Sequence, residues 1–600
     1  MNMSKNKKNS GQGAGEEKNY IKNGLPEMLV LFLCLIVLSV GIAGKDGYHM
    51  DELLSFELAN ARFTPWIVPT QPEGRLEKFV KNEIDADSFG ETVGNLAETV
   101  QDVLTNRGNS TMLSYVADVY EEPVWIEDEA FEDYITVDGK DAFNYLSVYF
   151  NVKDDNHPPL HFMLVHTMSS LFQGEIAPIM GCAINVAAVL GVMILLRKLG
   201  ELLWEDRQKG ARAGLLAALL YGLSAGAMAT TLLIRMYALV TFFCVTVCFL
   251  HVKKWKTDGF TQGNKKLILV TVLGFVTQYF FLFYCLILAL VTAICLFAKK
   301  KYKQLLCYIR SMVIAAVIGV GIFPFAISDV FSSGRGVQAL DNLSEGFSGY
   351  GQRLMAFGEI VSGRTFGVLL WPLLVIAVVS AAAEYVAHRK ESATHRKEST
   401  DVSLSLMMIL PVAGYFFLAA RMSPYQVDRY IMPIFPFVVF LVVWGLGKGV
   451  LLLCDKFEVS AKVRTGILAV GSICLILWQF AGICRYDGSY QYEGYAVQEQ
   501  MAEAYSETPC ICVYAGVGYY ENLVEFTSYD KTLLVKTEEL AGRKDKDSVT
   551  ELSEVVVLVK YGADFEEVRG IMEENYGFLL DQFLIRESVH GDTIALFVRQ

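Results

Sequence analysis

The sequence predicts a polytopic α-helical membrane protein with about eleven transmembrane helices and a C-terminal extracytoplasmic α/β domain. Hydrophobic residues make up 53% of the 600 residues, and the mean hydropathy of +0.35 exceeds that of ordinary soluble chains. Between residues 25 and 484 the apolar residues form blocks near the roughly 20 residues that a bilayer-spanning helix needs. The acidic residues instead concentrate in residues 46–155 and 486–586, which indicates two segments outside the membrane.

Residues 1–26 are predicted to be a cytoplasmic tail, because their lysines stay inside by the positive-inside rule. The apolar run 29–42 is predicted to be an uncleaved first span, since no small-residue cleavage site follows it cleanly. This orientation makes residues 44–156 a long extracytoplasmic loop.

The next apolar stretch, residues 158–172, is too short to span a bilayer and contains His161 and His166. We expect it to lie along the outer surface or to dip into it. If it crossed, nearly every later lysine cluster would fall outside the cytoplasm, against the charge rule.

The run 267–298 is expected to cross twice, with its turn near Gln278 and Tyr279. One helix of this run would be about 48 Å long, whereas the bilayer core is about 30 Å thick. The other spans are predicted at residues 178–196, 213–233, 237–252, 311–327, 366–387, 404–420, 430–446 and 467–483.

Residues 27–485 are thus predicted to form the transmembrane domain, including the loop 44–156, and residues 486–600 an extracytoplasmic α/β domain. In the tail, the runs 510–515, 554–560 and 593–598 are typical of strands, and residues 566–575 of a helix. The absence of a basic, aromatic-rich stripe argues against nucleic-acid binding. Cys510 and Cys512 lack the further ligands of a zinc site.

Two adjacent carboxylates, Asp51 and Glu52, follow the first predicted span by a few residues. A carboxylate held at the membrane surface can deprotonate or orient an acceptor, or bind a cation. The structural alternative is an acidic first turn of a helix, which the helix dipole favours.

Other polar residues recur at the predicted outer ends of helices. Arg235 lies between two spans, where an arginine can clamp a phosphate through two hydrogen bonds or snorkel to lipid headgroups. A helix cap is the alternative role of the residues before Pro158. Because these segments map to one predicted face, they indicate a single extracytoplasmic site for a lipid phosphate. The remaining candidates are Tyr237, Gln278, Tyr279, Arg429, Tyr430, Asp155 and His157.

In their order, these motifs resemble those of GT-C glycosyltransferases, above all the protein O-mannosyltransferase and lipid A aminoarabinose transferase type. The resemblance covers roughly residues 25–485. The motifs are Asp51-Glu52, Asp155-x-His157-Pro158-Pro159-Leu160, Arg235-x-Tyr237, Thr277-Gln278-Tyr279 and Arg429-Tyr430-x-x-Pro433. The long acidic loop, with its insertion near residues 71–141, and the tail depart from the family pattern.

The resemblance implies a glycosyltransferase of the cell envelope that uses a polyprenyl-phosphate sugar outside the cytoplasm. By similarity, Asp51 would activate the acceptor with Glu52 beside it, and Arg235 and Arg429 would hold the donor phosphate. Tyr237 and Tyr430 would lie at the same phosphate site, and Asp155, His157, Gln278 and Tyr279 would line the pocket. The acceptor would be a lipid, glycan or protein. Some members need a divalent metal and others do not, so metal dependence stays open.

A membrane transporter or flippase of lipid-linked glycans is the main alternative. It predicts ionisable residues within the spans and paired broken helices, whereas the predicted spans are mostly free of charge. A polysaccharide polymerase or ligase, and a non-enzymatic scaffold that binds through its tail, are the other two alternatives.

Overall fold

The computed structural model describes residues 9–63, 66–70, 75–86, 88–106, 110–116, 122–331, 334–344, 349–395, 402–492 and 494–599. The chain divides into two compact units. The helical unit comprises Met1–Gly44, Asn156–Pro158 and Cys182–Ser489, and the α/β unit comprises Lys45–Asp155, Pro159–Gly181 and Tyr490–Gln600.

The helical unit is built from long apolar helices joined by short connections. Its helices are Asn9–Ala43, Pro178–Leu203, Arg207–Gly222, Ala225–Leu232, Tyr237–Lys256, Lys265–Phe275, Phe281–Ala298, Tyr302–Ile322, Ala326–Phe331, Gly334–Ser344, Tyr350–Arg364, Leu370–His395, Val402–Met422, Phe435–Lys456 and Ala461–Ile483.

Within the described residues, eight helices are long and apolar enough to cross a membrane, or ten spans if each of two bent helix pairs counts as one. The bent pairs are Arg207–Gly222 with Ala225–Leu232, at 60°, and Tyr350–Arg364 with Gly367–Ala383, at 115°. The predicted class of a polytopic helical membrane protein is therefore confirmed, although the count falls short of eleven.

The difference from eleven lies in the run 267–298, for which a double crossing is expected. The structure breaks the run at residues 276–280, near the predicted turn. The first half, Lys265–Phe275, has only 11 residues, or about 16 Å of helix. Only Phe281–Ala298 of this run is long and apolar enough to count as a candidate span.

The stretch predicted not to cross is a 12-residue helix, Leu160–Leu171, which is not among the candidate spans of the described residues. Its two histidines are buried rather than exposed on a surface helix, His161 at 0% and His166 at 1% exposure. Burial lowers the pKa of His166, which keeps a neutral imidazole inside the protein.

The α/β unit contains a six-stranded sheet in the order β1-β3-β2-β4-β6-β5. Strands β2, β3 and β4 are parallel, and the other pairs are antiparallel. The central parallel strands are mostly apolar and buried, as is typical of parallel strands covered on both faces. The strands are β1 Trp125–Glu127, β2 Cys510–Val513, β3 Lys531–Val535, β4 Glu554–Val559, β5 Phe578–Ile585 and β6 Thr593–Arg599.

The strands predicted in the tail correspond to β2, β4 and β6, and the predicted helix is Phe565–Tyr576. Other helices of this unit cover the sheet or belong to the first loop. They are Met50–Asn60, Arg75–Phe79, Phe89–Asn106, Thr111–Val116, Asp128–Ile135, Tyr145–Asn151, Leu160–Leu171, Tyr495–Ala504, Leu523–Phe526, Thr537–Ala541 and Asp547–Thr550.

The first loop and the tail are parts of one compact unit. The division predicted from the sequence instead assigned the loop to the transmembrane domain and the tail to a domain of its own. Strand β1 comes from the loop and pairs antiparallel with β3 of the tail, so that Trp125 faces Leu533 in register. The Arg543 guanidinium also donates to the Pro123 carbonyl at 2.7 Å. The loop therefore supplies the edge strand of the tail's sheet.

Candidate active site

Asp51 and Glu52 lie in the first turn of the helix Met50–Asn60, directly after its N-cap His49. The Asp51 backbone N–H donates to His49 Nδ1 at 3.1 Å, and the His49 N–H donates to Glu52 Oε2 at 2.9 Å. This reciprocal pair is a capping box with histidine as the cap. The helix therefore begins at a fixed residue, with both acids near its positive end.

The two carboxylates have different surroundings. Glu52 is fully buried, and Lys45 Nζ lies 3.2 Å from its Oε1 and 2.9 Å from its Oε2. The Asp51 side chain is 22% exposed and lies 3.7 Å from His49 Nδ1. Because His49 Nδ1 accepts a hydrogen bond from the Asp51 backbone N–H, this nitrogen does not donate one to the Asp51 carboxylate. Glu52 is thus used for capping and ion pairing, and Asp51 is the more exposed of the two acids.

The positions of the Glu52 oxygens also determine whether the Asp51-Glu52 pair can bind a metal ion. Both oxygens of Glu52 lie against Lys45, so the Asp51-Glu52 pair does not offer two carboxylates to one ion. In the described part of the chain, no group of three or more His, Cys, Asp or Glu side chains could hold a metal.

In the helical unit, Arg235 lies in the break between the helices Ala225–Leu232 and Tyr237–Lys256. A break frees backbone carbonyls that must find other donors. The buried Asn185 supplies them, because its Nδ2 donates to the Thr231 carbonyl at 3.1 Å and the Leu233 carbonyl at 2.6 Å. Arg235 is 6% exposed, so its position is a protein interior rather than the open surface of a snorkelling arginine.

Gln278 and Tyr279 lie in a second break, between Lys265–Phe275 and Phe281–Ala298. Gln278 is 4% exposed, and its Oε1 accepts the Phe280 backbone N–H at 2.5 Å. The Tyr279 hydroxyl donates to Asp329 Oδ2 at 2.6 Å. Tyr279 therefore braces the break against the helix Ala326–Phe331.

Arg429 and Tyr430 lie in a third irregular segment, where the short 3-10 helices Asp428–Tyr430 and Met432–Ile434 precede Phe435–Lys456. The Tyr415 hydroxyl donates to the Tyr430 carbonyl at 2.9 Å. Arg429 is half-buried, and its Cζ lies 5.5 Å from the Tyr430 ring centre.

Arg364 anchors this third segment and was not predicted from the sequence. Its Nε donates to Asp428 Oδ2 at 2.9 Å, and its Nη1 and Nη2 reach Asp487 Oδ1 at 3.4 Å and Ser489 Oγ at 3.1 Å. The Tyr486 ring lies 5.3 Å from its Cζ. The guanidinium therefore ties the segment carrying Arg429 to the chain that follows the last span.

The three irregular segments meet at an aromatic cluster. The Tyr430 ring lies 6.2 Å from the Tyr237 ring and 5.3 Å from the Phe280 ring. Arg235 is two residues before Tyr237, and Arg429 directly precedes Tyr430. The structure thus brings together the predicted donor-site tyrosines from segments almost 200 residues apart, along with the break that holds Gln278.

Asp155 and His157 lie between the 3-10 helix Val152–Asp154 and the helix Leu160–Leu171, and both are half-buried. Asp155 caps the end of the 3-10 helix through its backbone N–H, which donates to the Val152 carbonyl. Asp155 belongs to the α/β unit and His157 to the helical unit, so their pocket role remains a prediction.

The acidic loop contains a polar cavity of about 260 Å³ near the end of the helix that carries Asp51. Burial raises the pKa of Asp133, and the nearby Asp138 and Asp141 raise it further. The lining combines acidic and basic side chains. The lining residues are Asn60, Ala61, Arg62, Glu77, Lys81, Asp133, Tyr134, Thr136, Val137, Asp138, Lys140 and Asp141.

Lys45 and Asn185 were also missed from the sequence. Lys45 lies seven residues before Glu52, and this spacing does not by itself predict an ion pair. Asn185 is a lone polar residue in an apolar span, which is a reasonable sign of a polar contact between helices.

No protein-family model matches the sequence, and no curated protein matches it. Solved structures of similar fold do exist. ArnT from Cupriavidus metallidurans bound to undecaprenyl phosphate is 12% identical, with a TM-score of 0.47, over 95% of this chain and 97% of that chain. The apo state of that ArnT is 12% identical, with a TM-score of 0.44, over 74% and 87% of the two chains.

The Archaeoglobus fulgidus oligosaccharyltransferase tethered with an acceptor peptide is 10% identical, with a TM-score of 0.38, over 88% of this chain and 69% of that chain. At these identities and TM-scores, the similarity assigns neither a donor nor an acceptor.

Proposed function

We propose that the protein is a membrane glycosyltransferase that moves a sugar from a polyprenyl-phosphate donor to an acceptor outside the cytoplasm. The observation that carries the proposal is the junction of Tyr237, Phe280 and Tyr430. In the chain, Arg235 lies two residues before Tyr237, and Arg429 directly precedes Tyr430. Arginines suit a phosphate, because guanidinium groups bind its oxygens through paired hydrogen bonds.

In the proposed reaction, Asp51 takes a proton from the acceptor nucleophile, which attacks the anomeric carbon of the donor sugar. The bond between that carbon and the phosphate oxygen breaks, and the lipid phosphate leaves with both electrons of the bond. Arg235 and Arg429 stabilise the negative charge that develops on this leaving group. Glu52 keeps its structural role, since Lys45 neutralises it.

The polar lining of the 260 Å³ cavity favours a hydrophilic portion of the acceptor. It belongs to the same compact unit as Asp51. The acidic and basic side chains of the lining can accept hydrogen bonds from, and donate them to, hydroxyl or amino groups. This supports a glycan or a polar headgroup as the part of the acceptor that is bound.

Purified protein incubated with a panel of undecaprenyl-phosphate sugars tests the proposal, with release of undecaprenyl phosphate as the readout. We expect at least one sugar to be consumed when a crude envelope fraction supplies the acceptor. Absence of release with every sugar, under conditions in which the protein binds the lipids, would contradict it.

A flippase of lipid-linked glycans is the second candidate, because two helix pairs are bent at breaks, as transporter helices often are. Reconstitution in liposomes separates the two functions. Movement of an intact lipid-linked sugar between leaflets, without cleavage of its phosphate bond, would favour the flippase.

A further inference from the structure

Lys45 is one of the most completely enclosed cations in the described part of the chain, with a side-chain exposure of 0%. A buried ammonium is costly unless its protons are satisfied. Here Nζ contacts both oxygens of Glu52 and donates to the Tyr490 carbonyl at 2.7 Å. The Tyr492 ring centre lies 4.7 Å from Nζ, within cation–π range.

The contacts of Lys45 join two segments that are far apart in sequence. Glu52 belongs to the turn that carries Asp51, whereas Tyr490 and Tyr492 open the C-terminal tail. The separation between Lys45 and Tyr490 is 445 residues. The ammonium group is therefore a tether between the tail and the helix that begins at Met50.

The backbones of the two segments also lie against each other. The Asp46 N–H donates to the Gln491 carbonyl at 2.8 Å. A Cβ on Gly47 would lie 2.5 Å from Cβ of Tyr495, so only glycine permits this approach. The His49 ring stacks on Tyr492 with ring centres 5.7 Å apart. Residues 45, 46, 47 and 49 thus all meet the start of the tail.

The tail adopts an unusual backbone conformation to make these contacts. Tyr490 and Tyr492 have φ angles of +66° and +56°, in the left-handed region that tyrosine rarely occupies. Such a conformation costs free energy and persists only where surrounding contacts enforce it. The contacts of residues 490–492 with Lys45, Asp46 and His49 are contacts of this kind.

We infer that Tyr490, Tyr492 and Tyr495 form a clamp that positions Asp51 through Lys45 and Glu52. The order of contacts is Tyr490 and Tyr492 to Lys45, Lys45 to Glu52, and Glu52 to the N-cap of the helix. Lys45 is a positioning residue, and the clamp gives the C-terminal domain a role in the transfer. The inference rests on the proposed function for its kinetic part only.

The test compares Lys45→Met/Glu52→Gln with wild type. Lys45→Met alone leaves a buried, unpaired carboxylate, which threatens folding. The double variant removes both charges and keeps a side-chain oxygen that can accept the His49 N–H, but it loses the tether to Tyr490. We expect the rate of sugar transfer to fall by a factor on the order of 10², because small misplacements of a catalytic group have effects of that size. The KM for the donor should stay unchanged.

Hydrogen exchange of residues 45–60 is the second readout, and it does not depend on the reaction. We expect the amides of residues 49–53 to exchange faster in the double variant and in Tyr492→Leu. The Tyr492→Leu variant leaves the ion pair between Lys45 and Glu52 intact, so it tests the clamp even if the double variant does not fold. Lys531→Met is the matched control, because it removes a lysine 5.6 Å from the Trp125 ring in the same unit and should change neither readout.

The clamp would be overturned if the double variant and Tyr492→Leu both transferred sugar at the wild-type rate. It would also be overturned if hydrogen exchange of residues 49–53 were unchanged in both variants. If wild-type protein transfers no sugar, the proposed function fails, and the exchange readout still decides whether the clamp orders the helix start.

Discussion

At the scale of single residues, Asp51 and Glu52 show how neighbouring acids acquire different roles. In the sequence both are candidate acids, and only the resemblance to GT-C glycosyltransferases assigns the catalytic role to Asp51. In the structure, Glu52 turns back to the N-cap and to Lys45, while Asp51 keeps partial exposure. The spacing His49-x-x-Glu52 matches a capping box, but histidine is outside the usual set of caps, so this spacing did not distinguish the two acids.

Glu525 gives a residue-scale prediction in the tail. Burial raises the pKa of its carboxyl to about 8, and its Oε2 has no hydrogen-bond partner within the described chain. Because the folded pKa lies above the ordinary value, the acid costs no stability below about pH 4.5 and destabilises progressively as the pH rises towards 8. Glu525→Gln should therefore stabilise the protein at pH 8, by an amount on the order of a few kcal/mol, and have little effect at pH 5.

Thermal unfolding at the two pH values measures this effect. The exposed Glu503 lies in the same unit, and Glu503→Gln is the control that should leave the pH dependence unchanged. Equal shifts for Glu525→Gln at both pH values would mean that the Glu525 carboxyl does not titrate in this range.

At the scale of elements, the site depends on where helices stop. The positions of the three irregular segments were predicted, because polar residues interrupt apolar blocks at 235, 278 and 428. The bends were not predicted, and neither was the shortness of Lys265–Phe275. Hydropathy measures how apolar a run is, whereas a break depends on which side chain satisfies the freed carbonyls, as Asn185 does for Leu233.

Arg235→Gln and Arg429→Gln provide the element-scale prediction. Each change removes one charged donor from the proposed phosphate site. A lost hydrogen bond to a charged group costs about 1.5–3 kcal/mol, so we expect the affinity for undecaprenyl phosphate to fall about 10- to 100-fold. If both arginines bind one phosphate, the effects in the double variant should be non-additive.

Binding of undecaprenyl phosphate to purified variants measures these affinities. Arg310→Gln is the matched control, because Arg310 is an exposed arginine of the helix Tyr302–Ile322. Unchanged affinity in both Arg235→Gln and Arg429→Gln would remove the shared phosphate site.

At the scale of the whole molecule, sequence and structure agree on a helical membrane protein with an α/β tail and differ on how the loop and the tail are divided. Blocks of apolar residues are strong local signals, as are the strands at 510–513 and 554–559. Strand β1 has only three residues, and its partner lies about 400 residues later. No local pattern specifies such a pairing, so the union of loop and tail could not be predicted.

This union gives a prediction about topology. Because Trp125 pairs in register with Leu533, the loop and the tail must lie on the same side of the membrane. Single cysteines at the exposed positions Asp545 and Glu98 should both react with an impermeant thiol reagent in intact cells. A cysteine at the exposed Gly263, in a lysine-flanked connection, should react only after the cells are opened. Opposite labelling of Asp545 and Glu98 would contradict the pairing.

The most direct test of the central claim is the rate of sugar transfer in Asp51→Asn. The asparagine keeps the size of the side chain but cannot accept the acceptor's proton, and general-base catalysis typically contributes about 10²- to 10⁴-fold. We expect the transfer rate to fall by that factor, with the affinity for the donor lipid unchanged and expression normal. Asp46→Asn, which changes an exposed acid five residues earlier, should transfer at the wild-type rate. Transfer by Asp51→Asn at the wild-type rate would contradict the account, because no catalytic carboxylate would then lie where the helix begins.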